Sequence, residues 1–449
     1  MEKETQSNRL VLFPCPLQGH ISPMLQLGSF LHSKGFSITV IHTQFNSPNP
    51  SNHLDFTFFP IQDGLTSEEI SSGNLVAILL AINANCKVSF RQRLAQVKEQ
   101  EPENKITCVI HDDLMYFTKA VAKDLNIPNI MLRTTSVTNF LARTAVLQLR
   151  SKGHIPFPDS QSLSPVPGFH PLRLKDLPTT NFDTFEKYSE LVVNACDVRT
   201  ASAIVWNTTD CLEQSSLAQI QQQCPVPMFS IGPFHKIEAA ASSSLLEVDT
   251  SCIAWLDKQS NSSVIYVSLG SVASISEKEL TEMAWGLANG KQPFLWVIRP
   301  GSVSGSDGIE QLPQGFIEAI GERGYIVKWA PQREVLSHRA VGGFWSHCGW
   351  NSTLESLSEG IPMICLPSFG DQKVHSRYVS QVWKVGLHLD NELERGEIER
   401  AVRKLMVDAD GEVMRVRAKD LKEKIEVSLR NGGSSYKFLN KLVELIMSL

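Results

Sequence analysis

The chemistry in this chain starts with a histidine placed just beyond an apolar run. Arg9–Cys15 (RLVLFPC) reads as a buried strand that Pro14 and Pro16 bring to an end, and His20 stands in the turn Leu17-Gln18-Gly19-His20 that follows. An imidazole titrates near neutrality, so it suits the task of taking a proton from an attacking hydroxyl, a role worth about 10²–10⁴ in rate. A second apolar run, Ile106–Ile110 (ITCVI), leads into His111-Asp112-Asp113. Open α/β sheets hold their ligands beyond the carboxyl ends of their strands. If both runs are strands of one parallel sheet, His20 and a carboxylate share that edge, and the carboxylate fixes the tautomer of the ring and stabilises its cationic form. On residue types alone His20 fits a satisfied structural histidine better than a catalytic one, and either aspartate fits the supporting role.

A longer stretch carries a different chemistry. Trp329–Gln372 reads WAPQREVLSHRAVGGFWSHCGWNSTLESLSEGIPMICLPSFGDQ. Phe344-Trp345 is strand-like, Ser346–Ser352 is a polar turn, and Thr353–Leu357 is a helix-like run ended by Gly360 and Pro362. The unpaired N–H groups and dipole of a helix start favour a phosphate. His347, Asn351 and Ser352 add side-chain donors at the same end. Glu355, one helical turn beyond Ser352, would repel phosphate but can accept from a ribose diol. Trp329, after the strand-like Tyr325–Val327, offers a flat face to a base, a contact worth about 1–3 kcal/mol. Together these residues describe a nucleoside-diphosphate site.

The stretch resembles, from Trp329 through Gln372 without a gap, the signature box of plant UDP-dependent glycosyltransferases that act on small molecules. The resemblance extends over the whole chain, and it is closest to the subgroup holding steviol-glycoside and cytokinin glucosyltransferases, with much of that likeness in Glu394–Glu397 and Gly432–Tyr436. It implies an α/β protein of the GT-B fold: two facing Rossmann-like domains with parallel sheets and a cleft between them. It implies His20 as catalytic base, in a context matched by Pro14, Gly19 and Pro23, with Pro14 one position further upstream than the family spacing. It implies Asp112, at the end of Cys108-Val109-Ile110-His111-Asp112, as its partner, with Asp113 pointing elsewhere. For the donor it implies that Trp329 stacks on uracil, Gln332 contacts the nucleoside and Glu355 holds the ribose. His347, Asn351 and Ser352, helped by Ser271, bind the diphosphate, and His347 and the helix dipole neutralise it as it leaves. Trp350, Asp371 and Gln372 contact the sugar, Gln372 favouring glucose, and Thr134 touches the sugar or its phosphate. It implies inversion at the sugar carbon, no metal, and no cofactor, UDP-glucose being a co-substrate.

Elements of two kinds must position these groups. In the first half, Ser22 is read as a helix N-cap with Pro23 at the first helical position and a helix running to about Ser33. Strands follow at Phe36–Ile41, Ile106–Ile110, Ile127–Arg133, Ala203–Asn207 and Met228–Ile231, with a helix over Asn74–Leu94. Arg150–Thr180, with six prolines, reads as a loop. A second α/β half opens at Val264–Ser268, followed by a capping box, Ser276 with Glu279. It continues through strands at Phe294–Ile298, Tyr325–Val327, Gly343–Trp345 and Met363–Leu366 to helices over Glu397–Met406, Glu412–Leu429 and Ser434–Met447. The expected division is 1–231 for an acceptor-binding domain, 232–250 for an Ala/Ser-rich linker, 251–430 for a UDP-sugar-binding domain and 431–449 for a helix returning to the first.

Composition excludes several classes. The 449 residues suffice for two cored domains, and 42% hydrophobic with 20% charged residues is ordinary globular content. A net charge of −5 argues against nucleic acid or an anionic membrane as partner. Nine cysteines without CxxC pairs read as reduced thiols, and the polar N-terminus has no signal-peptide pattern, so the expected setting is cytoplasmic, as a monomer. The Asp408-Ala409-Asp410 run sits in a charged turn and reads as solvated rather than metal-binding. The Gly301–Gly308 loop opens no helix and fails as a phosphate loop. The acceptor pocket is expected from Ile78, Ile82, Leu114, Asn139 and the Arg150–Thr180 loop, with Gly370 abutting it. A diterpenoid or its glycoside is the first expected acceptor, and a flavonoid, phenolic or cytokinin the second. A nucleotide-sugar-binding homologue without catalysis is the alternative of another class. An NAD-dependent oxidoreductase would need a G-x-G-x-x-G after the first strand, which is missing.

Overall fold

The computed structural model describes residues 8–100, 105–178, 184–237, 244–304, 312–389 and 393–449. Residues 1–7, the centre of the expected linker (238–243), the end of the proline-rich loop (179–180) and the second half of the Gly-rich loop (305–308) lie outside the described residues. The chain divides into two compact units, one of Met1–Gly153, Thr179–Leu245 and Val427–Leu449, the other of His154–Pro178 and Leu246–Glu426. Among the described residues no helix is long and apolar enough to cross a membrane.

The first unit holds seven strands: β1 (Arg9–Phe13), β2 (Ser37–Thr43), β3 (Phe56–Ile61), β4 (Ile106–Asp112), β5 (Asn129–Arg133), β6 (Ala203–Trp206) and β7 (Met228–Ser230). They pair in parallel in the order β3-β2-β1-β4-β5-β6-β7. A parallel sheet covered on both faces needs apolar residues on both, which is why β1, β4, β5 and β6 are buried at every position. The two faces alternate along β1. Leu10 and Leu12 join Met24 and Leu31 of the helix Gln18–Ser33 and Leu439, Leu442 and Ile446 of the final helix, Ser434–Ser448. Val11 and Phe13 face the other way, onto Ile82, Cys86 and Phe90 of the helix Leu75–Gln100.

The second unit holds β8 (Val264–Ser268), β9 (Phe294–Val297), β10 (Gly324–Val327), β11 (Val341–Ser346), β12 (Met363–Cys365) and β13 (Gly386–His388), parallel in the order β10-β9-β8-β11-β12-β13. In each sheet the strand order reverses beside the first strand, between β1 and β4 and between β8 and β11. Such switch points open a crevice at the carboxyl edge.

Four expectations need correction. The helix after β1 begins at Gln18, not after Ser22. Its cap is the Leu17 backbone, whose carbonyl receives the N–H groups of His20 and Ile21, while the Ser22 hydroxyl accepts from the Gln18 side chain at 2.7 Å. Pro23 therefore lies inside the helix. Strand β3 contains Pro60, which obscured it; an edge position, with β2 on its only paired side, tolerates the missing donor. The helix of the signature box begins at Trp350 rather than Thr353. Finally, residues 154–178 cluster with the second unit rather than the first. Arg377 ties them there, its Nε donating to the Pro171 carbonyl at 3.0 Å and lying 3.6 Å from Asp176.

Leu442 is wholly enclosed in the first unit's core. Leu442→Ala leaves a cavity between the final helix and the sheet, with an expected loss of about 2–5 kcal/mol, read as a lowered midpoint in urea unfolding.

Candidate active site

The first cluster forms at the β1/β4 switch point. His20 occupies the first turn of the helix after β1, and Asp112 is the last residue of β4. Their strands are neighbours, with Phe13 opposite His111. His20 Nδ1 lies 2.7 Å from Asp112 Oδ2, and Asp112 Oδ1 accepts from the Leu114 N–H at 3.1 Å. The Asp112 side chain is fully enclosed while that of His20 keeps 20% exposure, so the ring is anchored from below and open at its outer edge. Burial works against a charged imidazole here, but the charge and hydrogen bond of Asp112, aided by Asp113, outweigh it and raise the His20 pKa above its usual 6.5, with Arg143 opposing.

Asp112 and not Asp113 faces the histidine. Asp113 turns to Arg133, 3.9 Å away, and burial followed by the nearby Asp112 pushes its pKa up to about 6. Arg133 is itself enclosed, its guanidinium lying over the rings of Phe140 and Trp206. The Thr134 hydroxyl, expected at the sugar, lies 2.8 Å from His20 Nδ1 and so belongs to the base.

The second cluster forms at the β8/β11 switch point. Gly270 follows β8 in a left-handed conformation, φ +76°, and a Cβ there would sit 2.5 Å from the His347 ring. Gly349, the N-cap of the helix Trp350–Glu359, is just as close on another side, so two glycines make the room in which His347 sits. Burial pushes the His347 pKa down to about 4 despite Asp371 and the Ser268 backbone. Burial thus disfavours the charged form of this ring. Cys348 turns the chain, with φ +64°, and is enclosed.

Helix starts place the remaining donor residues. Asn351 and Ser352 lie in the first turn of Trp350–Glu359, and Gln332 opens the helix Gln332–Ser337. Gln332 Nε2 donates to Glu355 Oε2 at 2.7 Å and to Ser352 Oγ at 2.9 Å. Its Oε1 accepts from the hydroxyl of Tyr266 at 3.3 Å. Burial raises the Glu355 pKa, with Gln332 and Arg333 opposing. Trp329 follows β10 and is half-buried, and Ser271 stands beside Gly270. Tyr266 is a binding-site contributor that pattern reading missed, because an aromatic in the strand VIYVS, stacked on Phe344, reads as core.

At the sugar end the structure is more restrictive than expected. Trp350 is 4% exposed and its ring packs on His375 and Trp383, so only its backbone is available to a ligand. Gln372 is buried, and its carbonyl oxygen accepts from the N–H groups of Ser368 and Phe369, leaving its amino group for a sugar. Asp371 caps the helix Gln372–Arg377, and Gly370, φ +61°, has open space where a Cβ would be. The expected acceptor residues fare differently. Ile78, Ile82 and Leu114 belong to the core around Phe13 and Phe90, and Asn139 is enclosed, donating to Thr135 Oγ1 at 2.9 Å. They are packing residues: the helices carrying Ile78, Ile82 and Asn139, and the turn after β4 carrying Leu114, direct these side chains inward.

A β1/β4 site holding an imidazole–carboxylate pair and a β8/β11 site holding helix N–H groups, a ribose-type carboxylate and a base platform define a nucleotide-sugar glycosyltransferase of the GT-B fold. Solved structures agree: Phytolacca americana UGT2 with UDP-2-fluoroglucose and pterostilbene is 27% identical, covers 98% of this chain and 100% of its own, with a TM-score of 0.83. Medicago truncatula UGT71G1 with UDP-glucose is 25% identical over 99% of this chain and 100% of its own, TM-score 0.85. The family model "UDP-glucoronosyl and UDP-glucosyl transferase" matches residues 237–420. Among similar proteins, UDP-glycosyltransferase 76E1 of Arabidopsis thaliana is 49% identical over 99% of this chain and 98% of its own, and flavonol 3-O-glucosyltransferase UGT76E12 of the same plant is 49% identical over 100% and 99%. The chain belongs to the UDP-glycosyltransferase family, and it is an enzyme that transfers a glycosyl group from a UDP-sugar to a small molecule.

Two outcomes follow from this geometry. Were His20 the group that takes the acceptor proton, it would have to be neutral, and its raised pKa would make kcat/KM fall as pH drops through a midpoint above 6.5. Asp112→Asn removes the raising charge, so the acid limb moves to lower pH while the plateau falls. Gly270→Ala forces a left-handed alanine, costing about 1–2 kcal/mol, and pushes on His347; steady-state kinetics should show the KM for the UDP-sugar rising roughly tenfold.

Proposed function

We propose that the enzyme transfers glucose from UDP-glucose, with inversion, to a hydroxyl of a small lipophilic acceptor. The observation that carries this reading is the 2.7 Å contact between His20 and Asp112 at a ring that keeps one edge exposed. With Nδ1–H held by Asp112, Nε2 is the nitrogen left to receive the acceptor proton. As the hydroxyl loses that proton its oxygen attacks the anomeric carbon and the bond to the UDP oxygen breaks. Asp112 stabilises the imidazolium so formed, and the Thr134 hydroxyl helps hold the ring.

On this reading Trp329 stacks on the uracil, and Gln332 and Glu355 take the nucleoside and ribose. Ser271, His347, Asn351, Ser352 and the first-turn N–H groups hold the diphosphate. The helix end and the hydrogen bonds stabilise the leaving group, and no step calls on a metal or cofactor. Asp371 and the Gln372 amino group contact the glucose, with Trp350 contributing its backbone. A phenolic acceptor of the flavonol kind is favoured over a diterpenoid or a cytokinin by the names of a close relative and of a structural neighbour, an anthocyanidin 3-O-glucosyltransferase. Nine cysteines that are all free fit a reducing compartment such as the cytoplasm.

The test incubates wild type and His20→Ala with UDP-glucose and a panel of flavonols, diterpenoids and cytokinins, reading UDP release and product mass. The expected result is a monoglucosylated flavonol and a loss of about 10²–10⁴ in kcat for His20→Ala. Equal rates from both proteins would remove His20 as base. UDP-glucose binding without release on any acceptor would support the non-catalytic alternative.

A further inference from the structure

A third group stands beside the catalytic pair. Cys15, just past β1, is fully enclosed, and its Sγ, a ring nitrogen of His20 and a carboxylate oxygen of Asp112 all lie within 4.8 Å of one another. It is the sole grouping of three metal-ligating side chains with such spacing among the described residues. The transfer reaction as derived above has no use for this thiol.

We propose that Cys15, His20 and Asp112 form an inhibitory site for one thiophilic divalent cation, of the zinc or cadmium type, that switches the transferase off by occupying its base. This inference uses the assignment of His20 as base only for its effect on activity; binding itself does not depend on it.

The donor set supports the assignment. Sulfur, imidazole nitrogen and carboxylate oxygen are the usual ligands of tetrahedral zinc, at about 2.3, 2.0–2.1 and 2.0–2.2 Å. Bonds of that length place ligand atoms well inside the observed 4.8 Å, so the His20–Asp112 contact opens slightly while the thiol closes in. Charge supports it as well. A free thiolate at Cys15 would face both Asp112 and Asp113 within a buried pocket, and it stays protonated there. A dication changes that balance. It displaces the thiol proton into solvent and moves the His20 proton from Nδ1, the nitrogen beside Asp112, to Nε2, so that the ring stays neutral, can no longer accept a proton, and one thiolate, one carboxylate and the ion sum to zero. Three protein ligands leave a fourth position for water. Thiophilicity sets the selectivity: magnesium and calcium prefer all-oxygen sites and are excluded.

The experiment titrates the metal-free protein with cadmium chloride, without substrates, and follows the ultraviolet thiolate-to-cadmium absorption band in wild type, Cys15→Ala and Cys15→Ser. Half-exposed cysteines elsewhere contribute a background common to all three proteins. The expected result is one extra band-forming equivalent in wild type alone. In parallel, cadmium or zinc inhibits UDP release by wild type, reversibly on chelation and without competing with UDP-glucose. Both variants keep their activity in metal-free buffer and need at least about tenfold more metal for half-inhibition, since losing even an outer-shell partner costs roughly 10–100-fold in metal affinity. Identical cadmium titrations for wild type and Cys15→Ala would overturn the site. Equal inhibition of both would place the inhibitory ion elsewhere. If no acceptor supports turnover, the spectroscopic titration still decides, so failure of the functional reading and of this inference remain distinguishable.

Discussion

A carboxylate without any solvent contact has to be paired, because the cost of burying an isolated charge far exceeds what a domain can spare. Asp112 is in that position, and much of the first unit's carboxyl edge is arranged around its needs. One oxygen is satisfied by the Leu114 N–H and the other by His20. The early start of the helix after β1 serves this: beginning at Gln18 rather than beyond Ser22, it fixes His20 on a rigid turn instead of a loop. Arg133 serves it from below by taking up Asp113, the second acid that would otherwise compete for the same ring.

The donor end solves a different problem. The imidazole of His347, for which Gly270 and Gly349 leave room, is buried, and burial disfavours its charged form. The helix start beside it contributes N–H dipoles rather than a further side-chain charge. Tyr266 completes this economy by fixing the Gln332 amide, whose oxygen faces the tyrosine hydroxyl so that its amino group must face Glu355 and Ser352.

Much of this was legible. Long apolar runs such as Ile106–Ile110 identify central parallel strands, because both their faces are covered, and polar residues directly after them mark the edge where ligands gather. That reading pointed to His20 and Asp112, which the fold brings within 2.7 Å of each other, and family likeness added the box residues as expectations. What was not legible depends on tertiary context. Pro60 disguises β3 until its place at the sheet edge is known, and β13 is three residues long, too short to carry a period. Trp350 looks like a ligand platform by type, and only the packing of His375 and Trp383 shows that its ring is enclosed. The 154–178 segment carries no pattern of its own, since it docks on residues far along the chain, Arg377 among them. Specificity for the acceptor was illegible for a related reason: Ile78, Ile82 and Leu114 have the composition of a pocket wall and the burial of a core.

The first unit is assembled from distant parts of the chain. Its sheet is complete by Ser230, yet Leu439, Leu442 and Ile446, which cover one of its faces, follow the whole second unit in sequence. During synthesis the apolar residues on that face, including Leu10, Leu12 and Ile110, stay only partly covered, by helices such as Gln18–Ser33, while just over two hundred further residues are made. The second unit, continuous from Leu246 to Glu426 apart from its early segment, has all its strands before the final helix appears. Translation order and structural order therefore run opposite ways. The nascent chain carries its base-bearing sheet as an unfinished, sticky intermediate, the stage at which a chaperone has most to offer.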